Sequence, residues 1–220
     1  MARTDLPLTT PKSIRRREEL LEAAQRTFVE RGYFETRAAD IAKAANVSHG
    51  TFYTHFDSKD HVLRELVETL AEDLYEAAAE PIGTRGTAID VLQSTIRTFM
   101  HTYRDRAGMI RVLEQATASN PEFLEIRLAI RNRFSTRLEA ILHGQLKRPG
   151  SEGDGRRPTL DPMTAAYALG GMVEDFARGC YVLGAFEAAA HNRAATLLKG
   201  PLLGVSIVEW TPLPPICPHW

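Results

Sequence analysis

Cysteine is nearly absent: the 220 residues hold two, Cys180 and Cys217. That excludes a disulfide-dense scaffold and makes a reducing, cytoplasmic setting the expectation. Long hydrophobic runs are missing as well. The most apolar stretches, such as 165–173, fall far short of the ~20 residues a membrane span requires, so no membrane partner is expected. The opening residues MARTDLPLTTPKSIRRRE lack the charged-then-apolar layout of a signal peptide. Neither charge sign is in excess: 27 Lys and Arg face 28 Asp and Glu, for a net charge of −1. That balance neither requires nor excludes a polyanionic partner. No stretch alternates with the period of a strand, and no internal repeat is found. The P-loop, the dinucleotide glycine fingerprint, HExxH and GxSxG are all missing, so no catalytic residue and no cofactor is implied, and the chain is not expected to be an enzyme. Cys217 and His219 lie in a proline-rich tail with no further ligands nearby, a poor metal site, and Cys180 reads as packing within an apolar helix.

What is present is helical periodicity. Ile14, Leu21, Ala24 and Phe28 recur at spacings of seven, three and four, which predicts an amphipathic helix over 13–31, capped by Ser13 and stopped by Gly32. Thr36 is placed to cap a second helix to about Ala45. Ser48 caps a third ending near Phe56, and a long fourth runs from Ser58 to about Glu80, before Pro81 and Gly83. Further helices are expected at 86–105, 108–118, 121–147, 161–184 and 186–199, with Asn120-Pro121 and Asp161-Pro162 as start signals. The fold class is therefore all-α, with about nine helices. Residues 148–160, rich in Gly, Pro and charge, read as a flexible loop, and 210–220 as a proline-rich tail.

The informative segment is TRAADIAKAANVSHGTFYTHFDSK, residues 36–59. Two short helices joined by a tight turn form a helix-turn-helix when the inward positions are apolar and the turn tolerates a left-handed backbone. Ile41, Ala45, Val47 and Phe52 supply the inward contacts, Ala42 is small at the closest approach, and Asn46 accepts the left-handed conformation. A generic helical hairpin would leave that register unexplained.

These residues also resemble the signature of the TetR (tetracycline-repressor-like) family: Gly32-Tyr33, Thr36, Ile41-Ala42, Val47-Ser48, Gly50-Thr51-Phe52-Tyr53, His55-Phe56 and Lys59. The resemblance covers about residues 13–65. It implies a helix-turn-helix DNA-binding domain over 13–57 and a helical ligand-binding and dimerisation domain over 58–209. His49 and Asn46 depart from residues frequent in the family, so no operator sequence is implied.

A recognition helix enters the major groove with its N-terminal residues leading. That places Ser48, His49, Gly50 and Thr51 at the groove: His49 and Thr51 near base edges, Gly50 allowing close backbone approach. Tyr53 lies one turn on, where the resemblance implies a phosphate contact; a core aromatic is the alternative. Thr36, with the exposed N–H groups of the second helix, is expected to bind phosphate. Arg37, His55 and Lys59 complete the expected DNA-facing set. The basic arm, 1–12, with Arg15, Arg16 and Arg17 beyond it, reads either as solvated or as DNA-contacting. Ten basic against eight acidic side chains over 1–59 make the basic excess slight, so a helical binding protein that does not engage DNA specifically is the rival reading.

Forty-five residues rarely fold alone, so the fourth helix must complete their core through Val62, Leu66, Leu70, Leu74 and Ala77 while its far end joins the rest. The resemblance implies a homodimer, expected through 161–199, with intramolecular core as the alternative for the apolar stripe of that segment. Its stripe is Met163, Ala166, Leu169, Val173, Phe176, Cys180 and Leu183, with close approach at Gly170, Gly171, Gly179 and Gly184 and a Glu174–Arg178 pair on the polar side. Phe99, Tyr103, Glu114, Tyr167, Asp175 and Phe176 are the candidate lining of a pocket for a small-molecule effector, mostly apolar in character. The expected protein is a ligand-responsive transcriptional regulator, a repressor that binds a palindromic double-stranded DNA operator as a dimer.

Overall fold

The computed structural model describes residues 10–79, 88–146 and 161–184; the expected helix at 186–199, the loop 148–160, the tail, Cys217 and most of the basic arm lie outside them. The described residues form eight α-helices and no strand: α1 (Pro11–Arg31), α2 (Ala38–Ala44), α3 (His49–His55), α4 (Lys59–Ala79), α5 (Ala88–Asp105), α6 (Ala107–Thr117), α7 (Pro121–Leu146) and α8 (Pro162–Tyr181).

Two starts differ from the sequence reading. α1 is capped by Thr10, whose hydroxyl accepts the Ser13 N–H at 3.3 Å, with Pro11 in the first turn. Proline's fixed φ and missing N–H suit that position, so the helix begins upstream of Ser13, inside the expected arm. α2 is capped at Arg37, not Thr36, and Asp40 Oδ2 accepts the Arg37 N–H at 3.0 Å. Other local signals act as read. Ser48 Oγ accepts the Thr51 N–H at 3.1 Å, Asn120 Oδ1 accepts from Glu122 at 3.0 Å, and Asp161 Oδ1 accepts from Met163 and Thr164. Asn46 sits at φ 52°, the one positive φ outside glycine among the described residues.

The N-terminal core collects Leu20, Ala24, Phe28, Ile41, Phe52 and Phe56, all buried, and Val62 and Leu63 of α4 close it. Each fully buried phenylalanine contributes roughly 1.5–3 kcal/mol through area removed from water. α4 continues past this core to pack on α5 and α7, with Val67, Leu70 and Leu74 buried there. A second bridge has no signal in the sequence pattern: α6 packs across α1, where a Cβ on Gly108 would lie 2.9 Å from Val29 Cγ1.

α7 and α8 pack antiparallel, Gly170 lying beside Ser135 and Leu138 while Glu174 lies near Arg127 and Arg131. This packing corrects the expected dimer stripe. Ala166, Gly170, Val173, Ala177 and Gly179 are buried inside the chain, and Leu169 and Phe176 are packed against the same core. The large apolar side chains that α8 and the turn after it leave exposed are Met163, Tyr167, Met172 and Leu183, with Leu124 and Leu128 exposed on α7. No helix among the described residues is long and apolar enough to cross a membrane.

Candidate nucleic-acid interface and ligand cavity

α3 is seven residues long, so its two faces are assigned by one turn of periodicity. Phe52 and, just beyond the helix, Phe56 point inward. The opposite rim exposes Ser48, His49, Gly50 and Tyr53, the last 41% accessible. The His49 and Tyr53 rings meet edge to face, centroids 4.9 Å apart, which fixes both side chains on that rim. Thr51 is half-buried and its hydroxyl is 2.8 Å from Ser48 Oγ, so both hydroxyls already belong to the cap. Nothing inside the chain calls for glycine at position 50: an added Cβ would meet only Ser48 Oγ, at an ordinary 3.8 Å. Between α2 and α3 runs an open groove lined by Ala39, Lys43, Asn46, Val47 and His49. Lys43 is exposed beside it and lies outside the set expected from sequence; a lysine on the solvent face of α2, three residues before the turn, is the signal that could have found it.

Three expected contacts are corrected. Thr36 is 0% exposed, and its hydroxyl donates to the Gly32 carbonyl at 2.7 Å, which removes it from any phosphate. The α2 N-terminus is likewise occupied by the Asp40 carboxylate. Lys59 Nζ donates to the Tyr33 and Thr36 carbonyls at 2.7 and 3.0 Å and lies 4.2 Å from the centre of the Tyr33 ring. Its charge stitches the α1–α2 loop to α4. His55 is half-buried; burial first, then the Arg17 and Arg16 charges, hold its pKa below the ordinary 6.5. It is therefore neutral near pH 7 and brings no charge to a phosphate. Arg37 is exposed, as expected. Of the basic cluster after the arm, Arg17 is paired with Glu65 and stacked over Phe56, while Arg15 and Arg16 both reach Glu19.

The second site lies among α4, α5, α6, α7 and α8. A cavity of about 40 Å³ is walled by Leu70, Leu74, Phe99, Ile110, Leu113 and Phe134, and its polar lining is Tyr103, Glu114, Arg127, Arg131 and Glu174. Phe99, Tyr103 and Glu114 are thus placed as expected, the Phe99 and Phe134 rings stacking at 4.3 Å. Burial pushes the Tyr103 hydroxyl pKa upward, reinforced by Glu114, so the phenol stays protonated. Tyr167, Asp175 and Phe176 do not line the cavity. Tyr167 is exposed, with its hydroxyl on Asn132 Oδ1 at 2.7 Å; Asp175 is exposed; Phe176 packs against the core instead. The expected Glu174–Arg178 pair is also replaced. Arg178 Nε donates to Glu114 Oε1 at 2.8 Å, while Glu174 faces Arg127 and Arg131 at 3.7 and 3.6 Å. No cluster of metal-binding side chains occurs among the described residues.

Comparison with known proteins agrees with this architecture. Residues 20–66 match the family "Bacterial regulatory proteins, tetR family". The chain is 32% identical over 132 residues to the transcriptional repressor KstR2 of Rhodococcus jostii, an overlap covering 52% of this chain and 63% of that one. It thus spans just under two thirds of that relative's length. It is 27% identical over 158 residues to the regulator EthR of Mycolicibacterium smegmatis, covering 70% and 71% of the two chains. A crystal structure of a TetR-family regulator from Syntrophomonas wolfei superimposes with a TM-score of 0.64 over 87% of this chain and 99% of the other, at 19% identity.

Proposed function

We propose that the chain is a member of the TetR family of bacterial regulatory proteins and acts as a ligand-responsive repressor that binds a palindromic operator as a dimer. One observation carries this reading: α3 turns Phe52 inward and leaves His49, Gly50 and Tyr53 on a free rim, with exposed Lys43 beside it. His49, with Thr51 at the edge of the rim, faces base edges, and Tyr53 and Arg37 approach phosphates. Phosphate contacts supply affinity and base edges supply selectivity. Two copies must present their α3 helices about 34–36 Å apart to reach successive major-groove faces. The exposed Leu124, Leu128, Met163, Tyr167 and Met172 support a dimer formed through the outer face of α7 and α8.

The cavity among α4 to α8 is the effector site. Its 40 Å³ holds a few waters, whereas a small-molecule site needs at least about 300 Å³. Occupancy therefore requires the walls to part, and α4 and α6 carry that displacement to the α1–α3 unit. A ligand favours the parted form only through its better affinity for it. The regulator works where the chromosome is, in the cytoplasm, and performs no catalysis.

The test is a gel shift of the purified protein on the DNA upstream of its own gene. Sequence-selective retardation of free protein, weakened by effector, is the expected result. Retardation absent from every genomic fragment would favour a helical binding protein that does not act on DNA.

A further inference from the structure

The cavity has two chemically different ends. Leu70, Leu74 and Phe99 are buried on its inner side. At the other end the Arg127 and Arg131 side chains are 36% and 43% exposed, so that end opens to solvent. A ligand that fits both ends is an amphiphile entering apolar part first.

The sign of its polar head follows from how the charges are paired. Around the mouth stand three guanidinium groups, Arg127, Arg131 and Arg178, and two carboxylates, Glu114 and Glu174. Arg178 holds Glu114 with a hydrogen bond of 2.8 Å. Arg127 and Arg131 are left to share Glu174 at 3.7 and 3.6 Å, and Arg127 lies 3.9 Å from Glu114. These separations exceed hydrogen-bond length, so the donor forks of both arginines are under-used. Room has been left for one of them: a Cβ on Gly171 would stand 2.7 Å from Arg131 Nη2.

We infer that the effector carries an anionic head, a carboxylate or a phosphate ester, gripped by Arg127 and Arg131 at the cavity mouth. Such a head matches the planar fork of a guanidinium in bidentate fashion and neutralises the surplus positive charge. A cationic head would add to that surplus: Glu114 is already held by Arg178, and Glu174 stands between Arg127 and Arg131, whose charges would repel it. A neutral head leaves the donors unsatisfied. This inference rests on the cavity being the effector site.

The experiment is calorimetric titration of the full-length protein without DNA, using decanoate, decyl phosphate, decanol and decyltrimethylammonium, each below its micelle concentration. One or both anions should bind at one site per chain, at least about tenfold more tightly than the alcohol or the cation. The better anion tells carboxylate from phosphate. R127Q and R131Q should each cost about tenfold in anion affinity while leaving decanol within about twofold. R133Q, on a side chain stacked over Tyr75 outside the cavity lining, should change neither. Equal affinities for all four heads, or failure of both anions to bind, would overturn the inference on the native protein alone, whatever the variants do. A gel shift with and without the anion separates the two ideas. An anion that binds through Arg127 and Arg131 yet leaves DNA binding untouched sinks the ligand-responsive reading and spares this one. DNA released by decanol or by the cation but not by the anions does the reverse.

Discussion

The side-chain carbonyl of Gln115 accepts the backbone N–H of Tyr33 at 2.7 Å, tying α6 to the loop that leads into the helix-turn-helix. The preceding residue, Glu114, lines the cavity. Consecutive residues of one helix thus face the cavity and the helix-turn-helix. The packing there is tight: a Cβ on Gly32, itself at φ 82°, would stand 2.8 Å from Gln115 Oε1.

Gln115→Leu is therefore expected to lower stability by about 1–3 kcal/mol, because the Tyr33 N–H loses its partner in a half-enclosed position. Effector binding should survive, since Glu114 and the cavity walls are intact, while effector-induced release of DNA weakens. Denaturant unfolding and a paired gel shift with and without effector read the two effects. Unchanged stability together with full release would show that α6 transmits nothing.

Lys59 is expected to act on folding rather than on DNA. Lys59→Met removes two charge-assisted bonds to the Tyr33 and Thr36 carbonyls and should cost about 1–2 kcal/mol, discounted for partial exposure. The slope of log affinity against log salt should not change. Were the ammonium bound to a phosphate instead, its removal would reduce that slope by about one.

These two residues show where sequence reading stops. The caps at Ser48, Asn120 and Asp161 and the left-handed turn at Asn46 are legible because each is decided within about three residues of itself. Lys59 reads as a surface cation because its carbonyl partners lie 23 and 26 residues away. Glu174 and Arg178 satisfy the four-residue pairing rule, yet Arg178 takes Glu114, 64 residues distant, because α6 brings it closer. The apolar stripe of α8 is real, but helical periodicity marks a face to be covered without saying whether the cover is α7 or a second chain. Half the expected cavity lining is found for the same reason: Phe99, Tyr103 and Glu114 share a wall, whereas Tyr167, Asp175 and Phe176 rest on residue type alone.

Stability should depend on pH through His55. Its Nδ1 is buried with no hydrogen-bond partner among the described residues, and its folded pKa lies below the unfolded value of about 6.5. The unfolded chain thus binds the proton more readily. The neutral ring's contribution is fully present above pH ~6.5 and is lost as pH falls from there toward the lower folded pKa. Melting temperatures between pH 7.5 and 5 should drop further for the native protein than for His55→Gln. Parallel curves would mean that the ring protonates in place at no cost.

Gly50 offers the sharpest separation of folding from function. It occupies the first turn of α3, where glycine costs the helix backbone entropy, and a methyl group there would meet nothing closer than Ser48 Oγ at 3.8 Å. Gly50→Ala is expected to stabilise the fold by about 0.5 kcal/mol, less than the full interior value because the position lies at the helix start. If the backbone at Gly50 comes against the duplex, the same methyl enters a packed interface and should weaken operator binding by about tenfold or more. Unfolding curves and a gel shift on one preparation test both signs together. A variant that is more stable and binds its operator as well as the native protein would place Gly50 away from DNA and would turn the exposed rim of α3 into ordinary solvent-facing surface.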